Sequence, residues 1–276
     1  MLSYQHGYHA GNFADVIKHL TLSRLLSYMI SKEKPLFYFE THSGRGSYDL
    51  KDSQAIKTGE YQQGISLLWQ RREVLSPLFS PYLDVLNQMN KGQDLRFYPG
   101  SPYLAVNLLR EQDRLYFCEL HPREFEYLQQ LPHQTKRVFY SHSDGIINLQ
   151  ALLPPPERRG LIFIDPSYEI KTDYKQIPKA IASAHKRFAT GLYGLWYPLV
   201  DKRLHEQLLR GMSQIAPKKS LRIEFYLTKK PQPGMNGCGL WLINPPYTLA
   251  EEMETILQQL CTLFNPGSSS FLIEHS

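Results

Sequence analysis

The chain has 276 residues, 42% of them hydrophobic and 21% charged, which excludes a disordered polymer and leaves ample length for a buried core. Three cysteines cannot build a disulfide framework, and no run of about 18 apolar residues is present to form a membrane span. The net charge of +5 is too small to name a polyanionic partner by itself, although 18 tyrosines supply many stacking faces.

Taken in chain order, residues 1–6 lack the basic segment and apolar core of a signal peptide, so a cytoplasmic protein is expected. Residues 12–30 read as a helix, with apolar Val16, Leu20 and Leu25 among polar residues. Short apolar runs at 36–39, 115–118, 138–140, 161–164, 192–196, 221–227 and 239–243 read as seven strands. Several are continuous rather than alternating, as strands buried on both faces are. Their alternation with helices predicts a doubly wound α/β sheet that binds ligands at the carboxyl ends of its strands. A crossover between parallel strands takes about 30 residues, and the gap between the first two strands is far longer. The excess, residues 48–95, reads as a helical insertion at the sheet edge near the ligand end.

The first strand runs into Glu40-Thr41-His42-Ser43-Gly44-Arg45-Gly46. Gly44 and Gly46 allow a tight turn and close approach of a ligand to the backbone, but a plain strand-to-helix turn has the same spelling. A dinucleotide fingerprint is excluded because Asp49 stands where a third glycine belongs, and no Gly-Lys-Ser/Thr follows for a phosphate loop. Glu119 ends the second strand, where a carboxylate can accept from both hydroxyls of a ribose or simply face solvent. Asp144-Gly145 follows the third strand. The aspartate there suits an adenine amino group and the glycine leaves room for the ring, unless the pair is only a turn.

Asp165-Pro166-Ser167-Tyr168 ends the fourth strand and carries the most chemistry. The Asp165 carboxylate and the Pro166 carbonyl can each accept one N–H of an exocyclic amine, while Tyr168 stacks on the base. Such an amine is a poor nucleophile because its lone pair is delocalised into the ring. Two acceptors on its hydrogens favour the pyramidal form that attacks an electrophile. Asn244-Pro245-Pro246-Tyr247 offers a rival spelling at the last strand. An antiparallel last strand would place Asn244 at the opposite rim, on the order of 15–20 Å away. One Cys118-x-x-His121 pair without a second makes a poor zinc signature, so no metal is expected. His19 and His42 read as pocket hydrogen-bonding residues. Lys18 and Lys171, nearest the site, are the candidate phosphate contacts, and Tyr4 is placed to close over the pocket.

The opening block, with Tyr4-Gln5-His6-Gly7-Tyr8-His9-Ala10-Gly11-Asn12-Phe13-Ala14-Asp15-Val16-Ile17-Lys18-His19, closely resembles the start of the bacterial RlmJ family. The likeness continues through Thr41–Gly46, Phe97-Tyr98-Pro99-Gly100-Ser101-Pro102, Arg110-Glu111-Gln112-Asp113 and Lys186-Arg187-Phe188-Ala189-Thr190-Gly191. It reaches Ile243-Asn244-Pro245-Pro246.

That resemblance implies a class I S-adenosylmethionine-dependent methyltransferase of adenine N6 in 23S ribosomal RNA. The fold it implies is a Rossmann-like sheet of seven strands, the last antiparallel, in one domain spanning residues 1–276. It carries His19, His42, Ser101, Glu119, Asp144 and Gly145 over as cofactor contacts and Asp165 as the catalytic position. A monomer is expected. Ser167 departs from the family's Asp-Pro-Pro-Tyr, which loosens the loop but spares the Pro166 carbonyl. Two other readings share these features. One is a DNA adenine-N6 methyltransferase, for which an insertion of roughly 50 residues is a small reading domain. The other is a non-catalytic RNA-binding protein on a methyltransferase scaffold.

Overall fold

A computed structural model describes residues 4–92, 94–131, 136–228 and 234–275. Helix α1 (Phe13–Ile30) starts at Asn12, whose side chain accepts from the Asp15 amide and caps the first turn. Strands β1 (Phe37–Glu40) and β2 (Ser47–Asp49) follow, then helices α2 (Ser53–Thr58), α3 (Ile65–Arg71) and α4 (Ser80–Asn90). Strand β3 (Phe97–Pro99) returns to pair antiparallel with β2. The chain then alternates through α5 (Ser101–Leu108), β4 (Arg114–Cys118), α6 (Pro122–Leu128), β5 (Val138–Ser141), α7 (Gly145–Leu152) and β6 (Gly160–Ile164). It continues with α8 (Asp173–Arg187), β7 (Leu192–Pro198), α9 (Lys202–Ser213), β8 (Ser220–Tyr226), β9 (Gly237–Ile243), α10 (Leu249–Phe264) and β10 (Ser270–His275).

Among the described residues, one sheet has the order β10-β8-β9-β7-β6-β1-β4-β5. Strands β5, β4, β1, β6 and β7 are parallel neighbours, and β9 runs antiparallel between β7 and β8. All seven expected strands form. The sheet nevertheless has eight strands, because β10 adds antiparallel to β8. As a half-buried edge strand, β10 needs little apolar sequence to hold its place, and Phe271-Leu272-Ile273 is all it has.

The sheet separates two cores. Residues of α1, α4, α5 and α10 pack on one face, with Tyr38, Leu161 and Phe163 pointing to them. Residues of α7, α8 and α9 cover the other, facing Phe37, Phe39, Ile162 and Ile164. Alternate residues of β1 and β6 thus feed opposite cores, which is why these strands are apolar throughout.

Helix α1 departs from the amphipathic pattern expected of it. Its polar residues Asp15, Lys18 and His19 are buried along with Val16 and Leu20, because α4, α5 and α10 surround it. Among the described residues no helix is long and apolar enough to cross a membrane.

Strand order reverses between β1 and β6, so the loops after these strands diverge and leave a crevice at their carboxyl ends. Gly145 closes one wall of it. The space beside its α-carbon holds the backbone of the loop after β1. A β-carbon there would stand 2.2 Å from the Thr41 carbonyl oxygen. Gly145→Ala is therefore expected to lower stability by about 1–3 kcal/mol, seen as a fall in the urea midpoint. An unchanged midpoint would show that the Thr41 loop yields freely.

Candidate active site

A cavity of about 810 Å³ opens at the carboxyl ends of the parallel strands. The loops after β1, β4, β5 and β6 all reach it, as do the first turns of α1 and α5. His19, His42, Gly44, Ser101, Glu119, Asp144, Gly145, Asp165, Pro166, Tyr168, Tyr4 and Lys18 all line it, so residues from seven separate stretches converge.

Burial pushes the His19 imidazole down to about 3 against the pull of Asp15, with Lys18 and His6 adding to the effect, so the ring is neutral near pH 7. Its tautomer follows from a chain of hydroxyls. Tyr82 donates to Tyr98 at 3.1 Å, which leaves the Tyr98 hydroxyl to donate to His19 Nδ1 at 2.8 Å. His19 Nε2 therefore carries the proton, and it is buried without a partner. The Ser43 hydroxyl is likewise buried without a partner beside the same cavity. Burial also lowers the His42 pKa, against the pull of Asp165 and Asp144, and Nδ1 of this ring meets the Thr41 hydroxyl at 2.7 Å.

Glu119 is raised by burial, and its two oxygens accept from the Gly44 and His121 amides, each at 2.7 Å. Asp144 caps α7 through Oδ1, which accepts from the Ile146 and Ile147 amides. Gly145 makes room for the Thr41 backbone rather than for a ring. Gly46 does not line the cavity. With a φ of 79°, it makes the turn into β2 and accepts from the Gly100 amide at 2.8 Å. Ser101 donates its hydroxyl to Glu40, a buried carboxyl that sequence reasoning passed over.

Asp165 Oδ2 lies 2.6 Å from Lys18 Nζ, and Asp15 Oδ1 lies 2.8 Å from the same nitrogen. Lys18 is 4% exposed and fully engaged, so it cannot serve as the phosphate contact expected of it. Burial opposes its charge, but the two carboxylates outweigh that and hold its pKa above the ordinary lysine range. Burial opposes the Asp15 charge too, yet His6 and Lys18 hold that carboxyl well below its usual range. His6 Nε2 meets Asp15 Oδ2 at 2.8 Å and its Nδ1 meets the Tyr4 hydroxyl at 2.8 Å. A continuous line of contacts thus runs Tyr4–His6–Asp15–Lys18–Asp165. Asp15 and His6 escaped sequence reasoning as site residues because their partners are set by folding, not by spacing.

Tyr168 sits at a left-handed φ of 54°, donates its hydroxyl to the Trp196 carbonyl at 3.0 Å and packs on Tyr174. Trp196 and Ser167 also line the cavity, whereas the exposed Lys171 does not. Asn244 lies away from it. Its side chain donates to the Ala189 and Gly191 carbonyls, and Ile243 pairs with Tyr193 at the starting end of β7. Among the described residues no group of three or more His, Cys, Asp or Glu is arranged to hold a metal ion.

Residues 33–273 match the family described as ribosomal RNA large subunit methyltransferase D, RlmJ. The chain belongs to this family. It is 42% identical to ribosomal RNA large subunit methyltransferase J of Haemophilus influenzae over 99% of this chain and 98% of that one. The Escherichia coli protein of the same name is 41% identical over 98% and 96%. A crystal structure of a Legionella pneumophila protein superposes with a TM-score of 0.93 at 58% identity, covering 97% of this chain and 98% of that chain. A probable spermidine synthase from Corynebacterium glutamicum, at 12% identity and a TM-score of 0.52 over 97% of this chain and 77% of that one, shares the fold.

The cofactor that the RlmJ family implies, S-adenosylmethionine, meets fitting groups. The orphaned His19 Nε2 and Ser43 Oγ await an acceptor or a donor, and Glu119 and Asp144 present carboxylates on adjacent strand ends.

Glu40, which accepts from the lining residue Ser101, gives a pH test. Burial raises its pKa to about 8, although hydrogen bonds from Ser101 and Tyr38 pull the other way. The folded chain then keeps a proton that the unfolded carboxyl loses near pH 4.5. Stability from this group is complete below that pH and lost as pH rises to about 8. Glu40→Gln is expected to flatten this part of the stability profile by a few kcal/mol. Parallel melting-temperature profiles for variant and wild type would show that Glu40 ionises normally.

Proposed function

We propose that this protein transfers a methyl group from S-adenosylmethionine to N6 of a single adenine in 23S ribosomal RNA. The observation that carries the reading is Asp165, clamped by Lys18 at the end of β6 inside the cavity that also gathers Glu119, Asp144 and the unpaired donor of His19. The names of the Haemophilus influenzae and Escherichia coli relatives support a large-subunit ribosomal RNA as substrate.

The bound cofactor supplies an electrophilic methyl group on a sulfonium centre. In our reading the Gly44 turn, His19, His42 and Ser101 hold its methionine end, Glu119 its ribose and Asp144 its adenine. The target adenine leaves its stack and enters the slot beside Tyr168. Asp165 and the Pro166 carbonyl accept the two N–H groups of its amine and aim the nitrogen lone pair at the methyl carbon. Lys18 holds one Asp165 oxygen in place, so the carboxylate meets the amine at a fixed angle rather than swinging. The nitrogen loses its proton after the new bond forms, so no strong base is needed. This suits neutral His19 and His42.

Lys171 is proposed as a phosphate contact outside the cavity, next to the lining residue Ile170. Tyr4 is proposed to cover the bound base. We further propose a cytoplasmic monomer that works without a metal ion, with residues 48–95 as a helical insertion within a single methyltransferase domain of residues 1–276. The place of α2, α3 and α4 between the paired strands β2 and β3 supports that division.

The test is methyl transfer to 23S RNA, with mapping of N6-methyladenine. Asp165→Ala is expected to slow transfer by roughly 10²–10³-fold, the loss typical of removing one preorganised polar group, while Asn244→Ala leaves it near wild type. Loss confined to the Asn244 variant would move the catalytic position to the other rim. Transfer to DNA of the same sequence in preference to RNA would change the substrate.

A further inference from the structure

The N-terminal segment that brings Tyr4 and His6 to the cavity has little structure of its own, only a short 3-10 turn at His6–Tyr8. Segments of that kind stay loose unless something ties them down. Here the ties come from residues 54–65, which run from α2 to the first residue of α3. The Gln54 side chain donates to Gln5, Thr58 donates its hydroxyl to the Tyr8 carbonyl, and the Ile65 amide donates to the Gly11 carbonyl at 2.8 Å. At the centre stands Glu60. Its carboxylate meets His9 Nδ1 at 3.0 Å and accepts from Asn12 Nδ2 at 2.9 Å.

Both partners lead onward to the site. The His9 ring lies almost parallel to the Tyr4 ring, at 11° and 5.7 Å between centroids. Asn12 caps α1, whose first turns carry Asp15 and Lys18. Glu60, His9 and Asn12 all line the cavity.

We infer that Glu60 is a positioning residue for methyl transfer, acting through His9 on Tyr4 and through Asn12 on the start of α1. The inference rests on the proposed RNA methylation and gives the residue 48–95 segment a task within it. Magnitudes separate this role from a structural one. The His9 and Glu60 side chains are 40% and 36% exposed, and such open pairs stabilise a fold by only about 0–1 kcal/mol. A displacement near 1 Å at reacting groups, by contrast, slows a reaction by up to about 10²-fold. Loss of Glu60 therefore acts on rate far more than on folding.

The test measures single-turnover methyl transfer to 23S RNA, S-adenosylmethionine affinity by calorimetry, and melting temperature. The chains compared are wild type, Glu60→Ala, Glu60→Gln, His9→Ala and the Glu60→Ala/His9→Ala double variant. Glu60→Ala is expected to slow transfer roughly 10-fold or more, with cofactor affinity and melting temperature close to wild type. Glu60→Gln, whose amide can still bridge His9 and Asn12, recovers most of the rate. The double variant is no slower than Glu60→Ala alone, because both changes break one line of contact. A wild-type rate in Glu60→Ala, multiplied losses in the double variant, or a loss that follows the melting temperature would each overturn the inference while leaving RNA methylation standing. No transfer to RNA by wild type would overturn both.

Discussion

The rest of the site depends on one buried ammonium group. Lys18 lies between Asp15, three residues earlier on the same helix, and Asp165, 147 residues later. An unpaired ion at that depth costs several kcal/mol, and removing one partner from such a pair typically costs about 3–5 kcal/mol. The carboxylates must therefore be present and correctly placed for α1 to pack where it does. That requirement links the first helix to the loop after β6 and fixes the Asp165 carboxylate at the cavity. It also accounts for α1 being buried on nearly all sides, since its polar residues answer to the cavity and not to solvent.

The polar groups around His19 and Glu119 are built on a different principle. They are neutral donors or carboxylates held by backbone amides. Burial strips the charge from His19, and two tyrosines from α4 and β3 decide which of its nitrogens carries the proton. The segment between β1 and β4 thus contributes twice. It supplies Tyr82 and Tyr98, which lead to His19 Nδ1, and Glu60, which meets His9 and Asn12. Carboxyl groups outnumber the single lysine, Lys18, along the cavity, so its lining is acidic and offers no positive field of its own. A chain with a net charge of only +5 is consistent with that design, in which recognition of one base in a pocket matters more than a strong overall field.

Topology decides between two similar spellings. Asp165 and Asn244 both follow apolar strands and precede Pro and an aromatic. Because β9 runs antiparallel to β7, its end lies at the rim where β7 starts. Asn244 uses its amide there to bind the Ala189 and Gly191 carbonyls, outside the cavity. The same reversal of strand order that opens the crevice beside β1 and β6 gives Asp165 its place.

By itself the sequence determined the seven principal strands, the α/β class and the strand ends that reach the cavity. Strands buried on both faces must be apolar without interruption, and residues at strand ends inherit their position from the strand. The edge strand β10 and the three-residue strands β2 and β3 were not legible, since elements that bury little leave little pattern. Only the tertiary structure decided what the charged and polar residues do. Lys18 was expected to contact phosphate and is a buried clamp between two carboxylates. Gly46 spelled a ligand turn and packs against Gly100 instead. Asp15, His6 and Glu60 carried no local signal. A charge takes its role from its partner, and those partners lie up to 147 residues away, brought into contact only when the sheet assembles.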